Sequence, residues 1–165
     1  SRPRNGRDTA KEEESQAQAW HEIITTYYQF KRLTTMVQKD FLLDFDLYIC
    51  ERFGYRNSLH VTPTQNGCCV GVNIKPVRLY VRFWEYSKGV GGFPDWCIIL
   101  VHCNFRKNQE QELQELVRFF KEHAPRYGYK YIGVEGHPQF NQMLEFQLMQ
   151  SVRGQENYIF PLNRV

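Results

Sequence analysis

Cations and aromatics alternate along residues 77–86. Arg78, Tyr80, Arg82, Trp84 and Tyr86 share one face of a strand at period two, and Val77, Leu79, Val81 and Phe83 share the other. The second set is a core face. The first alternates guanidinium and π surface, a combination that stacks on bases while contacting phosphates, each stacked base contributing about 1–3 kcal/mol. Protein interfaces favour the same residue types. So does plain packing beneath a helix, with the arginines paired to Glu51, Glu85 or helix carboxylates. A protein partner, a nucleic acid and simple burial are therefore the three readings of this face.

Other residues with chemical potential read more simply. The five cysteines, Cys50, Cys68, Cys69, Cys97 and Cys103, are odd in number and lack CxxC spacing, so neither a disulfide framework nor a metal site is indicated. Gly89-Val90-Gly91-Gly92 has neither the lysine spacing nor the following helix of a phosphate loop and reads as a flexible hairpin connection. Gly136-His137-Pro138 reads as a helix boundary, with His137 at a strand end.

The elements that must position these residues follow from periodicity. Residues 1–15, with three arginines, Lys11 and Glu12-Glu13-Glu14 and scarcely an apolar side chain, read as a flexible tail. Trp20, Ile23, Ile24, Tyr27 and Met36-Val37 recur at helical spacing, predicting a helix from Gln16 to Lys39 that lies against a sheet. Residues 41–50 are apolar and fit helix or strand; helix, ending before Gly54, is the preferred reading. Asn66-Gly67 between apolar runs predicts a hairpin of strands 58–62 and 68–74, followed by a strand from Val77 to about Tyr86.

The run Trp96 to Cys103 predicts a central strand. A helix from Asn104 to His123 follows, with Leu113, Leu116, Val117, Phe120 and Ala124 on one face and Pro125 and Gly128 at its end. Next come a strand at 129–135, a helix from Pro138 to about Met149 and a closing strand at 157–162. Residues 16–165 thus read as one domain of mixed α/β class: a single, mainly antiparallel sheet flanked by helices.

Composition sets outer bounds. The 165 residues are 42 % hydrophobic and 15 % aromatic with a net charge of +3, which fits a soluble, intracellular, cytoplasmic protein and gives no field strong enough to announce nucleic acid by itself. No apolar stretch suggests a membrane span.

The stretch "IILVHCNFRKNQEQELQELVRFFKEHAPRYGYKYIGVEGHPQFNQMLEF" resembles the central strand, cofactor helix, next strand and following helix of the GCN5-related N-acetyltransferase (acyl-CoA N-acyltransferase) superfamily, and the order of the other elements is similar. The resemblance implies a site at the exit of the central strand. There the family reads approximately Gln/Arg-x-x-Gly-x-Gly/Ala, so that consecutive backbone N–H groups can approach a diphosphate. This chain has Phe105-Arg106-Lys107-Asn108-Gln109-Glu110-Gln111-Glu112, with Gln109 and Gln111 in the glycine places and two carboxylates beside them. The family's usual acid is a tyrosine after an aromatic on the last helix. Here Phe146 is followed by Gln147, and an amide has no proton to give near neutral pH.

Three functions remain open on these grounds. The first is a degenerate, non-catalytic domain that binds a protein partner or regulates, needing no cofactor. The second is an acyltransferase with an altered site, in which Arg106, Lys107 and Asn108 hold acetyl-CoA or another acyl-CoA and His102 or Glu85 activates the amine. The third is nucleic-acid binding through Arg78, Arg82 and Trp84.

Overall fold

The fold is that of a computed structural model, which describes residues 6–87, 92–136, 146–149 and 154–162 and, within the first helix, the side chains of residues 9–25 and 38–53. The chain divides into two compact units, Ser1–Lys39 and Asp40–Val165.

Helix α1 spans Gly6–Phe53, so residues 6–15 are helical and the boundary between the units falls inside the helix, whereas composition alone places it at residue 15. The tail reading rested on the lack of apolar side chains. A helix satisfies its backbone within itself and needs no buried face to form, and Lys, Glu, Gln and Ala favour it. Within the first unit the side chains of Trp20, Ile23 and Ile24 are exposed, whereas Gln38 is buried. In the second unit Phe41, Phe45 and Ile49, four residues apart, are fully buried, and the 41–50 segment is helical as preferred.

The second unit carries one seven-stranded sheet in the order β1-β2-β3-β4-β5-β7-β6. Its strands are β1 Leu59–Thr64, β2 Gly67–Ile74, β3 Val77–Trp84, β4 Cys97–Asn104, β5 Tyr131–Glu135, β6 Gln147–Leu148 and β7 Asn157–Pro161. All neighbours are antiparallel except β4 and β5. This is the mixed, mainly antiparallel architecture expected. The hairpin falls at Gln65-Asn66, with Thr64 opposite Gly67. Gly67 is required there: its φ is +146°, and a Cβ would lie 2.0 Å from the Phe83 carbonyl oxygen.

Helix α2 spans Gln109–His123, followed by a 3-10 turn, Ala124–Tyr127. It starts five residues later than the sequence reading because β4 continues to Asn104 and a tight turn intervenes. Residues 41–53 of α1, together with α2, pack on one face of the sheet, against Val70, Val81, Phe83, Ile98, Leu100, Ile132 and Val134. Phe41 joins the layers: its ring meets Phe83 at 5.0 Å, Tyr127 at 4.7 Å, Tyr129 at 5.5 Å and Phe120 at 6.1 Å. Arg52 near the end of α1 holds Glu112 in the first turn of α2 at 2.8 Å.

On the opposite face a smaller cluster forms from Trp84, Phe93, Cys97 and Ile99, with Val101, Tyr131 and Met149 against it. Gly133 makes room for Phe93, whose ring would lie 2.5 Å from a Cβ there. Of the helix expected from Pro138 to Met149, residues 137–145 lie outside the described residues. Its end is different: Gln147 and Leu148 form β6 on β7, and Leu148 is exposed rather than on an apolar helix face. Among the described residues, no helix is long and apolar enough to cross a membrane.

Removing the central ring, Phe41→Ala, is expected to lower stability by about 3–5 kcal/mol. Gly67→Ala is expected to cost about 2 kcal/mol or more. Urea unfolding followed by circular dichroism measures both, and losses under 1 kcal/mol contradict the packing described.

Candidate functional site at the end of the central strand

The parallel ladder between β4 and β5 runs from Cys97↔Tyr131 to Leu100↔Val134 and ends there. On its other side β4 stays paired to β3 as far as Asn104↔Arg78, with a bulge between Leu100 and His102 that skips Val101. The last residues of β4 therefore project past the end of the β4–β5 ladder, where the resemblance puts a cofactor.

That exit is filled by a side chain. The Phe105 N–H donates to Gln109 Oε1 at 2.8 Å, and Gln109 Nε2 donates to the Cys103 carbonyl at 2.8 Å. A residue on a parallel neighbour makes the same pair of bonds, to the carbonyl before and the amide after the residue opposite it. The carboxamide thus prolongs the sheet by one peptide equivalent. The next amides are engaged as well: Arg106 N–H donates to Asn104 Oδ1 at 3.1 Å, and Lys107 N–H to the Phe105 carbonyl at 2.7 Å. Arg106 and Asn108 adopt left-handed conformations, φ +63° and +52°, at positions without glycine. Asn108 caps α2 with no side-chain bond.

The sequence-derived candidates are scattered by the fold. Arg106 and Asn104 come together with Arg78, Asn73 and Lys75 in one hollow of about 560 Å³ where the ends of β2, β3 and β4 meet. Lys107 and Asn108 are exposed in the turn. His102 is exposed and stands opposite Tyr80. Glu85 is buried just past the other end of β3, roughly 23 Å along the strand from Arg78 at about 3.3 Å per residue. The two candidate bases are therefore not neighbours, and only His102 lies toward the turn. Gln147, in the place of the family's acid, sits in β6 opposite Ile159.

The strand face is divided in the same way. Arg82 reaches across β4 to Glu135 on β5, with Nη1 to Oε2 at 2.6 Å, and its guanidinium lies 5.0 Å from the Trp84 ring and 5.7 Å from the Tyr80 ring. Trp84 is buried. Tyr80 is half-buried, its hydroxyl pushed up by a hydrogen bond to Cys69. Tyr86 lies past the strand end, because the Asn66 carbonyl takes the N–H groups of both Glu85 and Tyr86; it is exposed, as is Arg78.

Three of the thiols, Cys68, Cys97 and Cys103, are buried. Burial pushes Cys68 and Cys103 up to about 12 from an ordinary 9.0, and raises Cys97 further in the same direction. A thiol so raised is a poor nucleophile near neutral pH. Among the described residues, no group of three His, Cys, Asp or Glu is placed to hold a metal ion.

Gln109→Ala leaves the Cys103 carbonyl and Phe105 amide without their partner and is expected to cost about 1–3 kcal/mol, read from the urea midpoint. A neutral result contradicts the bridging role. For buried Cys68, Cys97 and Cys103, folded values above the unfolded one mean a contribution that is complete below about pH 9 and is lost as pH climbs toward 12. Urea midpoints should therefore fall between pH 9 and 11, and in native protein only half-exposed Cys50 and Cys69 should react with a thiol reagent. Rapid labelling of all five contradicts the burial.

Comparison with known proteins adds little to this geometry. No protein-family model matches the sequence, and no curated protein matches it significantly. Among solved structures, a probable acetyltransferase from Staphylococcus epidermidis ATCC 12228 is similar over 57 % of this chain and 67 % of its own, at 12 % identity and a TM-score of 0.39.

Proposed function

We propose that this chain is a non-catalytic, acyltransferase-like domain that acts by binding. The observation that carries this reading is the state of the turn after β4: the N–H groups of Phe105, Arg106 and Lys107, three consecutive donors at the strand exit, all bond within the turn. Displacing them gives up about 1 kcal/mol net for each bond, and the same turn carries side chains at its two left-handed positions, Arg106 and Asn108. Two further features support it. Glu85 is remote from the turn, and Gln147 cannot act as an acid.

The binding face favours a compact partner over a nucleic-acid strand. Arg82, one of the two cations of the row, is neutralised by Glu135, and Trp84 is buried, which breaks the alternation needed to follow a phosphate backbone. Arg78 and Tyr86 stay exposed near opposite ends of β3, and a protein surface suits such separate anchors.

Acetyl-CoA titrated calorimetrically is expected to bind no more tightly than inorganic pyrophosphate, and acetyl transfer to a panel of primary amines should stay at the blank. Micromolar binding that survives excess pyrophosphate, or transfer above the blank, would sink the proposal.

A further inference from the structure

We infer that the hollow at the joined ends of β2, β3 and β4 is a binding site for a phosphoryl group carried by a small molecule. This goes beyond the proposed function and stands whether or not the domain transfers acyl groups, because the hollow uses side chains and not the amides of the turn.

The register builds it. Asn73 is opposite Arg78, and Arg78 is opposite Asn104, so a carboxamide, a guanidinium and a second carboxamide stand in one row across three strands. Lys75 enters from the β2–β3 turn and Arg106 from the turn after β4. Three cations thus converge from three different segments, and the lining contains no carboxylate. Elsewhere the arginines near carboxylates are paired: Arg52 with Glu112, Arg82 with Glu135, Arg118 with Glu115. Among the described residues, no ion pair involves Lys75, Arg78 or Arg106.

The turn aims one of these cations at a conformational cost. Arg106 is left-handed, which glycine would adopt more easily, and its N–H is held by Asn104 Oδ1. That bond occupies the acceptor of the Asn104 carboxamide and leaves its NH2 to donate. Two guanidiniums, an ammonium and a carboxamide NH2 make a set rich in donors, which matches the oxygens of a doubly charged phosphoryl group. A hollow of about 560 Å³ suits a small ligand. A polymer would need the cation row to continue, and it stops at the Arg82–Glu135 pair.

The test is calorimetric titration of the full chain at low salt with inorganic phosphate and with pyrophosphate. Saturable binding of both is expected, tighter for pyrophosphate. Arg78→Gln and Lys75→Gln should each weaken pyrophosphate by about tenfold. Arg106→Gly should weaken it at least as much, while its melting temperature stays at or above the parent's because glycine suits the left-handed turn. The melting curve separates lost binding from lost fold. Absence of saturable binding overturns the assignment, as does an affinity unchanged in the Arg78→Gln, Arg106→Gly double variant. Single-stranded oligonucleotides that bind more tightly than pyrophosphate, with affinity rising with length, also overturn it in favour of a nucleic acid.

Discussion

Past Leu100 the central strand continues while its parallel ladder with β5 stops, and a strand edge inside a protein must have its donors and acceptors paired. Gln109 meets that demand for Cys103 and Phe105. Much of the local geometry follows: the chain must curl back within five residues to bring the first residue of α2 beside the strand it has just left. The left-handed Arg106 and Asn108 achieve this curl, and the Asn104 side chain and Phe105 carbonyl bind the amides in between. The N–H groups of Phe105, Arg106 and Lys107 are thereby bonded within the turn, and the Arg106 side chain is exposed on it.

The two faces of the sheet divide the remaining work. Phe41, Phe45 and Ile49 from α1 and the apolar face of α2 seal one side with interlocking rings, and Phe41 touches rings on β3, α2, the 3-10 turn and the approach to β5. The other side is a mosaic. Trp84, Phe93 and Ile99 make a small apolar patch, while Arg82 and Glu135 neutralise one another across the central strand. Such a partly exposed pair contributes on the order of 1 kcal/mol or less, so its main effect is to remove a charge from the surface.

What the sequence makes legible is local. Asn66-Gly67 marks the hairpin, the apolar alternation of Val77 to Phe83 marks a core face, and the β4–α2–β5 unit and the strand at Asn157 can be read from periodicity and breakers. What is hidden depends on cross-strand register or on side-chain satisfaction. Nothing in Gln109 as a residue type announces that it will imitate a peptide group; the available signal was only a glutamine where a glycine was looked for. The Arg82–Glu135 pair joins residues 53 apart and required knowing that β5 lies beside β4. Grouping Arg78 with Asn104 and Arg106 required the β3–β4 register. The full extent of α1 is hidden because residues 6–15 carry almost no apolar side chain to mark a helical face, and the apolar spacing around Gln147-Leu148 fits a helix as well as it fits a short strand.

The Gln109 bridge also has a kinetic side. Its two bonds close loops of only four and six residues, whereas Leu100 and Val134 are 34 residues apart along the chain. Short loops close far sooner than long ones, and parallel pairing must wait for its crossover to form. Holding the end of β4 therefore requires only local loop closure by its own helix, whereas the parallel ladder with β5 requires closure of the whole crossover.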